Sequence, residues 1–320
     1  MMKIGPYWMI LVLIWMTMAG SSCKKNETKN VEPEQQQAIA EKIEGVIEVV
    51  TTQMDFKLKT ELKSGWNTFR YVNNSDDTHF FIFEKMPDSV RIENYKNELM
   101  PPFLAAINYF KEGNQEAGMK EFEKIPDWFD EVELGGGVGL TSPHTTSEST
   151  IYLEPGVYVM ECYVRMPGGM PHAFMGMLEE ITVSEDNTNR KIPVADAAIS
   201  VSSVDGISFL ENLTPGDYTF SVNFRDQKLY ETMLGHDVNL VKIEKPSQLD
   251  SLNNWINASD FTAFSTPAPD GLLFLGGVED LQAGREGFFN VSLTEGSYVL
   301  ISEVPQAVER KMYKLFTVSN

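Results

Sequence analysis

A segment in the middle of this 320-residue chain recurs 140 positions later, and that recurrence limits the fold more than any other feature. "GGGVG" at 135–139 is matched by "LGGVE" at 275–279, Gly156 by Gly296, Tyr158 by Tyr298 and Cys162 by Ser302. A shorter phrase (Leu, two residues, Gly, one residue, then Tyr or Asn) occurs four times: "LKSGWN" from 62, "LEPGVY" from 153, "LTPGDY" from 213 and "LTEGSY" from 293. Each reads as a turn followed by an alternating run such as "YTFSVNF" or "YVLISEV", the period of a half-buried strand. "MPDSVRIENYKNEL" at 86–99 parallels "KPSQLDSLNNWI" at 245–256, both read as helix starts behind a proline with an Asp or Ser cap. The pattern predicts an all-β chain of two tandem Greek-key β-sandwiches, one duplicated unit with a helical excursion in each copy, longer in the first.

The N-terminus sets the boundaries. Lys3 precedes nineteen uncharged residues, Ile4 to Ser22, in which "YWMILVLIWM" runs into "AGSSC". That is the layout of a signal peptide, with a single membrane anchor as the other reading. Small residues directly before Cys23 resemble the lipobox of bacterial lipoproteins, with Gly20 where that box carries Leu or Val. The resemblance implies acylation of Cys23 and a membrane attachment through its lipid. Lys24 in place of an aspartate points to the outer membrane, facing the periplasm or the cell surface. The expected organisation is then a leader over 1–22, a polar tether over 23–45, a first sandwich over 46–186, a linker over 187–193 and a second sandwich over 194–320. The linker lies in the polar break "SEDNTNRKIP".

Two consequences follow from composition. A formal charge of −20 excludes nucleic acid as a partner, because phosphates are met by Lys and Arg. It keeps the chain soluble and favours basic partners, a basic redox protein among them. The chain has two cysteines, and acylation takes one. Cys162 is left as a lone thiol in an oxidising compartment, so it is either buried and inert or occupied.

Cys162 stands in "LEPGVYVMECYVRMPGGMPHAFMGMLEEITV" (153–183), beside His172 and the methionines 160, 166, 170, 175 and 177. Cys, His and Met in this order, on a loop between two strand patterns, resemble the cupredoxins, the blue-copper β-sandwich family. The resemblance covers roughly 46–186 and, without the metal set, 194–320. It implies a copper site made of His79, Cys162, His172 and Met177. Phe80 stands where the family often has an asparagine bracing the loop. The nine residues between Cys162 and His172, with their "PGGM" turn, are similar to the type 1 loop of copper nitrite reductases. A thiolate with two imidazoles and a weak thioether suits both copper oxidation states. In the second copy His236 and Met312 match His79 and Met177, whereas Ser302 and Ala307 replace Cys162 and His172.

The chain has only four histidines, 79, 144, 172 and 236, and Glu161 rather than histidine precedes Cys162. The expectation is therefore not an enzyme but a lipid-anchored envelope copper protein, a type 1 electron carrier. His144 has no assigned role. Two other readings stay open: capture or delivery of Cu(I) through the loop methionines, and a metal-free double sandwich for binding or structure, in which Cys162 is a small buried hydrophobe.

Overall fold

The computed structural model describes residues 45–210, 212–230 and 234–320. The predicted leader and Cys23 lie outside them. The first copy contributes β1 (Val46–Thr51), β2 (Glu61–Asn73), β3 (His79–Lys85), β4 (Glu133–Thr141), β5 (Thr145–Leu153), β6 (Gly156–Glu161) and β7 (Leu178–Asn187). The second contributes β8 (Ala197–Ser202), β9 (Gly206–Ser208), β10 (Gly216–Phe224), β11 (Val238–Ile243), β12 (Leu272–Val278), β13 (Glu286–Leu293), β14 (Gly296–Ile301) and β15 (Tyr313–Val318). Leaving out the short β9, the seven strands of one copy correspond in order to the seven of the other. The parallel pair β1·β2 is repeated as β8·β10.

The copies share both layers. One layer runs β7-β6-β3-β4-β12-β11-β14-β15, and the other runs from β2 through β5, β13, β10 and β8 to β9, with β1 on β2. Each order is a palindrome about its midpoint, so equivalent strands meet at the junctions. Val138 of β4 faces Val278 of β12, and Ser149 of β5 faces Phe289 of β13. From Gly45 onward the described chain is accordingly one compact unit.

Alternation explains most strands. In β2, Phe69 and Tyr71 point into the core while Thr68 and Arg70 do not. The run "HFFIF" in β3 breaks the alternation because both of its faces are covered. Phe81 and Phe83 face the sandwich interior, and on the other face Phe80 packs against Tyr163 and Phe264. The helical excursion consists of α1 (Ile92–Asn94), a π turn at Tyr95–Leu99, α2 (Met100–Lys111) and α3 (Gln115–Phe122). Its Tyr95 and Leu99 pack with Val159 and Leu178 of the sheet in a second small core. The first helix is not capped by Asp88 or Ser89, because it starts later, and the Asn94 side chain reaches back to the Arg91 N–H (3.0 Å). The second copy repeats that device: Gln248 accepts from Lys245 N (3.1 Å) ahead of α4 (Leu249–Trp255).

Three of the four recurring phrases are turns clamped by their own tyrosine. Tyr158, Tyr218 and Tyr298 donate from the hydroxyl to the carbonyl four residues back, at 2.9, 2.9 and 2.8 Å. "LKSGWN" differs. It lies inside β2, whose first residues pair with β7 and whose remainder pairs with β5. The strand changes layer at Gly65, where φ is +97°. The same pairing shortens the expected linker, since β7 continues to Asn187 opposite Ser64. The doubled glycine motif has its own cause. A Cβ on Gly137 would lie 1.9 Å from the Phe81 carbonyl oxygen, and one on Gly277 1.9 Å from that of Val238.

Candidate metal centre

His79 opens β3, Cys162 follows the last residue of β6, His172 opens a 3-10 turn (His172–Met175) and Met177 directly precedes β7. All four are fully buried. The loop closes on itself through its backbone. Ala173 N donates to Cys162 O (2.8 Å), Cys162 N to Met177 O (3.2 Å), Met177 N to His172 O (3.1 Å) and His172 N to Val164 O (2.8 Å). Nine intervening residues therefore do not carry His172 away. They make a side hairpin, Met166 N to Met170 O (2.8 Å), with Gly168 and Gly169 in the left-handed region.

The second copy holds that hairpin in place. The buried Arg165 guanidinium donates to the carbonyls of Ala258 (2.5 Å), Asp260 (3.0 Å) and Ala263 (3.2 Å). Arg165 N and O bond Phe264 O (2.9 Å) and Thr266 N (2.8 Å). Phe80 braces by contact rather than by an amide: its ring meets Tyr163 edge-on, 4.5 Å between centroids.

Three donor atoms converge. Cys162 Sγ is 3.8 Å from His79 Nδ1 and 3.8 Å from His172 Nδ1, and the two Nδ1 atoms are 3.0 Å apart. The point in their plane equidistant from all three is about 2.1 Å from each, within the range of first-row metal bonds to imidazole and thiolate. Neither Nε2 has a protein partner. Those nitrogens lie on the far side of each ring, so a metal at the Nδ1 atoms leaves them as they are, and the fit rests on the convergence of the two Nδ1 atoms with Sγ.

Electrostatics agree with a cation-ready site. Burial pushes His79 down to about 4, and burial plus its neighbour His79 pushes His172 down to about 3. Both imidazoles are therefore neutral at pH 7 and offer lone pairs. Burial drives the Cys162 thiol well up, opposed by backbone N–H groups of Phe80 and Val164 at the sulfur. A bound cation reverses that balance and deprotonates a coordinating thiol outright. The donors present fit copper: thiolate and two imidazoles in a trigonal set, with the buried Met177 thioether beside them.

The other methionines do not gather here. Met160 is buried in β6, Met166 and Met170 are half-buried on the hairpin, and Met175 is exposed. His144 is an exposed loop residue bonded to Asp76 (2.9 Å). In the second copy the ladder sets His236 where His79 stands, since Lys242↔Tyr298 repeats Lys85↔Tyr158. Ser302 N to Met312 O (3.0 Å) and Met312 N to Ala307 O (2.7 Å) repeat the loop closure. With no thiol and no second imidazole, His236 bonds Tyr230 (3.1 Å) and Ser302 bonds Asp237. Sequence reading missed Arg165 and a carboxylate group, Asp237, Glu279 and Glu303, joined to the loop by Tyr163 OH on Glu303 (2.9 Å).

No family model and no curated protein matches the chain. Among solved structures it is similar to auracyanin A, a "blue" copper protein from Chloroflexus aurantiacus, at 20% identity over 43% of this chain and 98% of that one, TM-score 0.26. A multicopper oxidase is similar at 12% identity over 85% and 87%, TM-score 0.22. So is the copper nitrite reductase of Nitrosomonas europaea, at 11% identity over 86% and 93%, TM-score 0.21. The expectation that the chain is not an enzyme is corrected by these structures. Enzymes stand beside the blue copper protein among them, and the histidine count that argued otherwise addressed only the extra copper sites of such enzymes. The duplicated sandwich, with its loop of cysteine, histidine and methionine, is similar in fold to these copper proteins.

Proposed function

We propose that the chain is a copper protein of the electron-transfer type, with one type 1 site made by His79, Cys162, His172 and Met177. The observation that carries this is the convergence of three buried donor atoms, 3.0, 3.8 and 3.8 Å apart, on a loop whose backbone fixes it. Copper held there would supply a one-electron couple. His79, Cys162 and His172 would hold it through two imidazole nitrogens and a thiolate that suit both oxidation states, Met177 would add a weak thioether, and their burial would exclude water. A rigid, buried set changes little between oxidation states, and that favours fast transfer. The second copy, which lost two ligands, supports the loop through the carbonyls that hold Arg165.

The proposal includes the setting. Cys23 carries the lipid, residues to about 45 form the tether, and the protein sits in the cell envelope, at the outer membrane. The acidic surface favours a basic redox protein as partner. Cu(II) added to the mature protein is expected to give an intense blue or green thiolate charge-transfer band at one copper per chain. Cys162→Ser, which copies Ser302, abolishes the band. A wild type that stays colourless and instead retains Cu(I) favours the capture reading, and one that binds neither ion leaves a metal-free sandwich.

A further inference from the structure

The junction between the copies holds a second group of buried acids, outside the copper site. Asp237 precedes β11, Glu279 follows β12 and Glu303 follows β14 by two residues. They are no more than 2% exposed, and one carboxylate oxygen from each lies within 4.8 Å of those of the others. Asp280, also buried, stands next to Glu279 and accepts from Gly235 N (2.8 Å).

Hydrogen bonds account for two of the three. Asp237 accepts from Glu303 N (2.8 Å), Ser302 Oγ and Asn239 Nδ2 (2.7 Å); Glu303 accepts from Tyr163 OH (2.9 Å). Glu279 has nothing: both of its oxygens are buried without a partner, though one points into the group. The charges acting on it, Glu303, Asp237, Asp280 and Cys162, are all negative when ionised. A protonated Glu279 would donate its O–H to a neighbouring carboxylate at hydrogen-bond distance, and no such contact is present. The spacing is instead that of oxygens across a cation, which at 2.3–2.6 Å from calcium reach about 5 Å apart.

We propose that Asp237, Glu279 and Glu303 hold one hard divalent cation, calcium, at the junction of the two copies. Oxygen donors alone exclude a preference for copper or zinc, which favour nitrogen and sulfur. Calcium fits better than magnesium. Magnesium demands a near-ideal octahedron at about 2.0–2.1 Å, whereas calcium accepts irregularly placed carboxylates at about 2.3–2.6 Å, which suits oxygens spread this widely. The proposal stands independently of the copper reading.

The test uses the mature chain carrying Cys162→Ser, in which no type 1 copper centre forms. Calorimetric titration with calcium chloride is expected to show one ion per chain, and thermal melting is expected to rise with calcium concentration. Terbium at the same site is expected to luminesce on excitation of tyrosine, because Tyr163 donates to Glu303, and calcium displaces that signal. Glu279→Gln weakens calcium binding at least tenfold while circular dichroism shows the β-sandwich intact. If that variant does not fold, Glu303→Gln serves in its place. Absence of a calcium-dependent melting shift, a shift with magnesium but not calcium, or binding unchanged in a folded Glu279→Gln overturns the proposal. The colour of wild type with copper is read separately, so failure of one reading leaves the other standing.

Discussion

The Nδ1 atoms of His79 and His172 face each other at 3.0 Å, and neither ring has a protein partner on its far nitrogen. With both rings neutral at pH 7 and the nearby thiol protonated, the count of protons released on metal binding is fixed. One proton per Cu(II), that of Cys162, is expected at pH 7. Calorimetry in two buffers of different ionisation enthalpy measures it. A count of two or more means that an imidazole is protonated in the metal-free protein.

The same burial sets an acid limb for the metal-free fold. The folded values of about 4 and 3 lie below the unfolded histidine value of 6.5. The unfolded chain therefore binds more protons, and this contribution to stability is complete above about pH 6.5 and is lost as pH falls toward 4 and 3. By pH 4.5 the loss is about 2–3 kcal/mol per imidazole. Burial raises Glu161, Asp280 and Asp237 to about 7, 6 and 8, which acts in the opposite sense, with stability lost as pH rises through those values. Urea midpoints of wild type against His172→Leu isolate the histidine part. The variant is expected to lose less stability than wild type between pH 6.5 and 4.5.

Arg165 is the pin between the loop and the second copy. Arg165→Leu leaves the buried Ala258 carbonyl and the half-buried Ala263 carbonyl without their donor, while Asp260 O keeps Ala263 N (3.0 Å). At about 1–3 kcal/mol for each unmet group, a loss of about 3 kcal/mol or more in urea unfolding is expected. The hairpin at Met166–Met170 should then become cleavable by protease before the rest of the fold. A variant as stable as wild type means that water replaces the guanidinium there.

For the anchor, cells fed labelled fatty acid are expected to incorporate it into wild type but not into Cys23→Ala, which is released from the membrane fraction. Attachment unchanged in the variant points to a spanning leader instead.

The offset of 140 made the duplication legible, but only over its second half. Between β3 and β11 the offset is 157, as His79/His236 and Lys85/Lys242 show. The first copy's excursion is longer by that difference. Cys162, His172 and Met177 were readable because a single loop carries them, and His79 because a strand pattern follows it. Arg165 was not: its partners are backbone carbonyls nearly a hundred residues away, which leave no side-chain signature. Asp237, Glu279 and Glu303 are likewise separated by 42 and 24 residues, with no motif spacing. Nor does periodicity tell a strand which neighbour it will find, so the shared layers appear only once β4 meets β12 and β5 meets β13.

Val138 opposite Val278, and Ser149 opposite Phe289, are corresponding positions meeting about an approximate dyad. Two identical chains pairing β4 with β4 and β5 with β5 would make the same layers, but every substitution in such a homodimer strikes both subunits at once. Within one chain each half has its own codons, so a thiol can stand at 162 while a serine stands at 302.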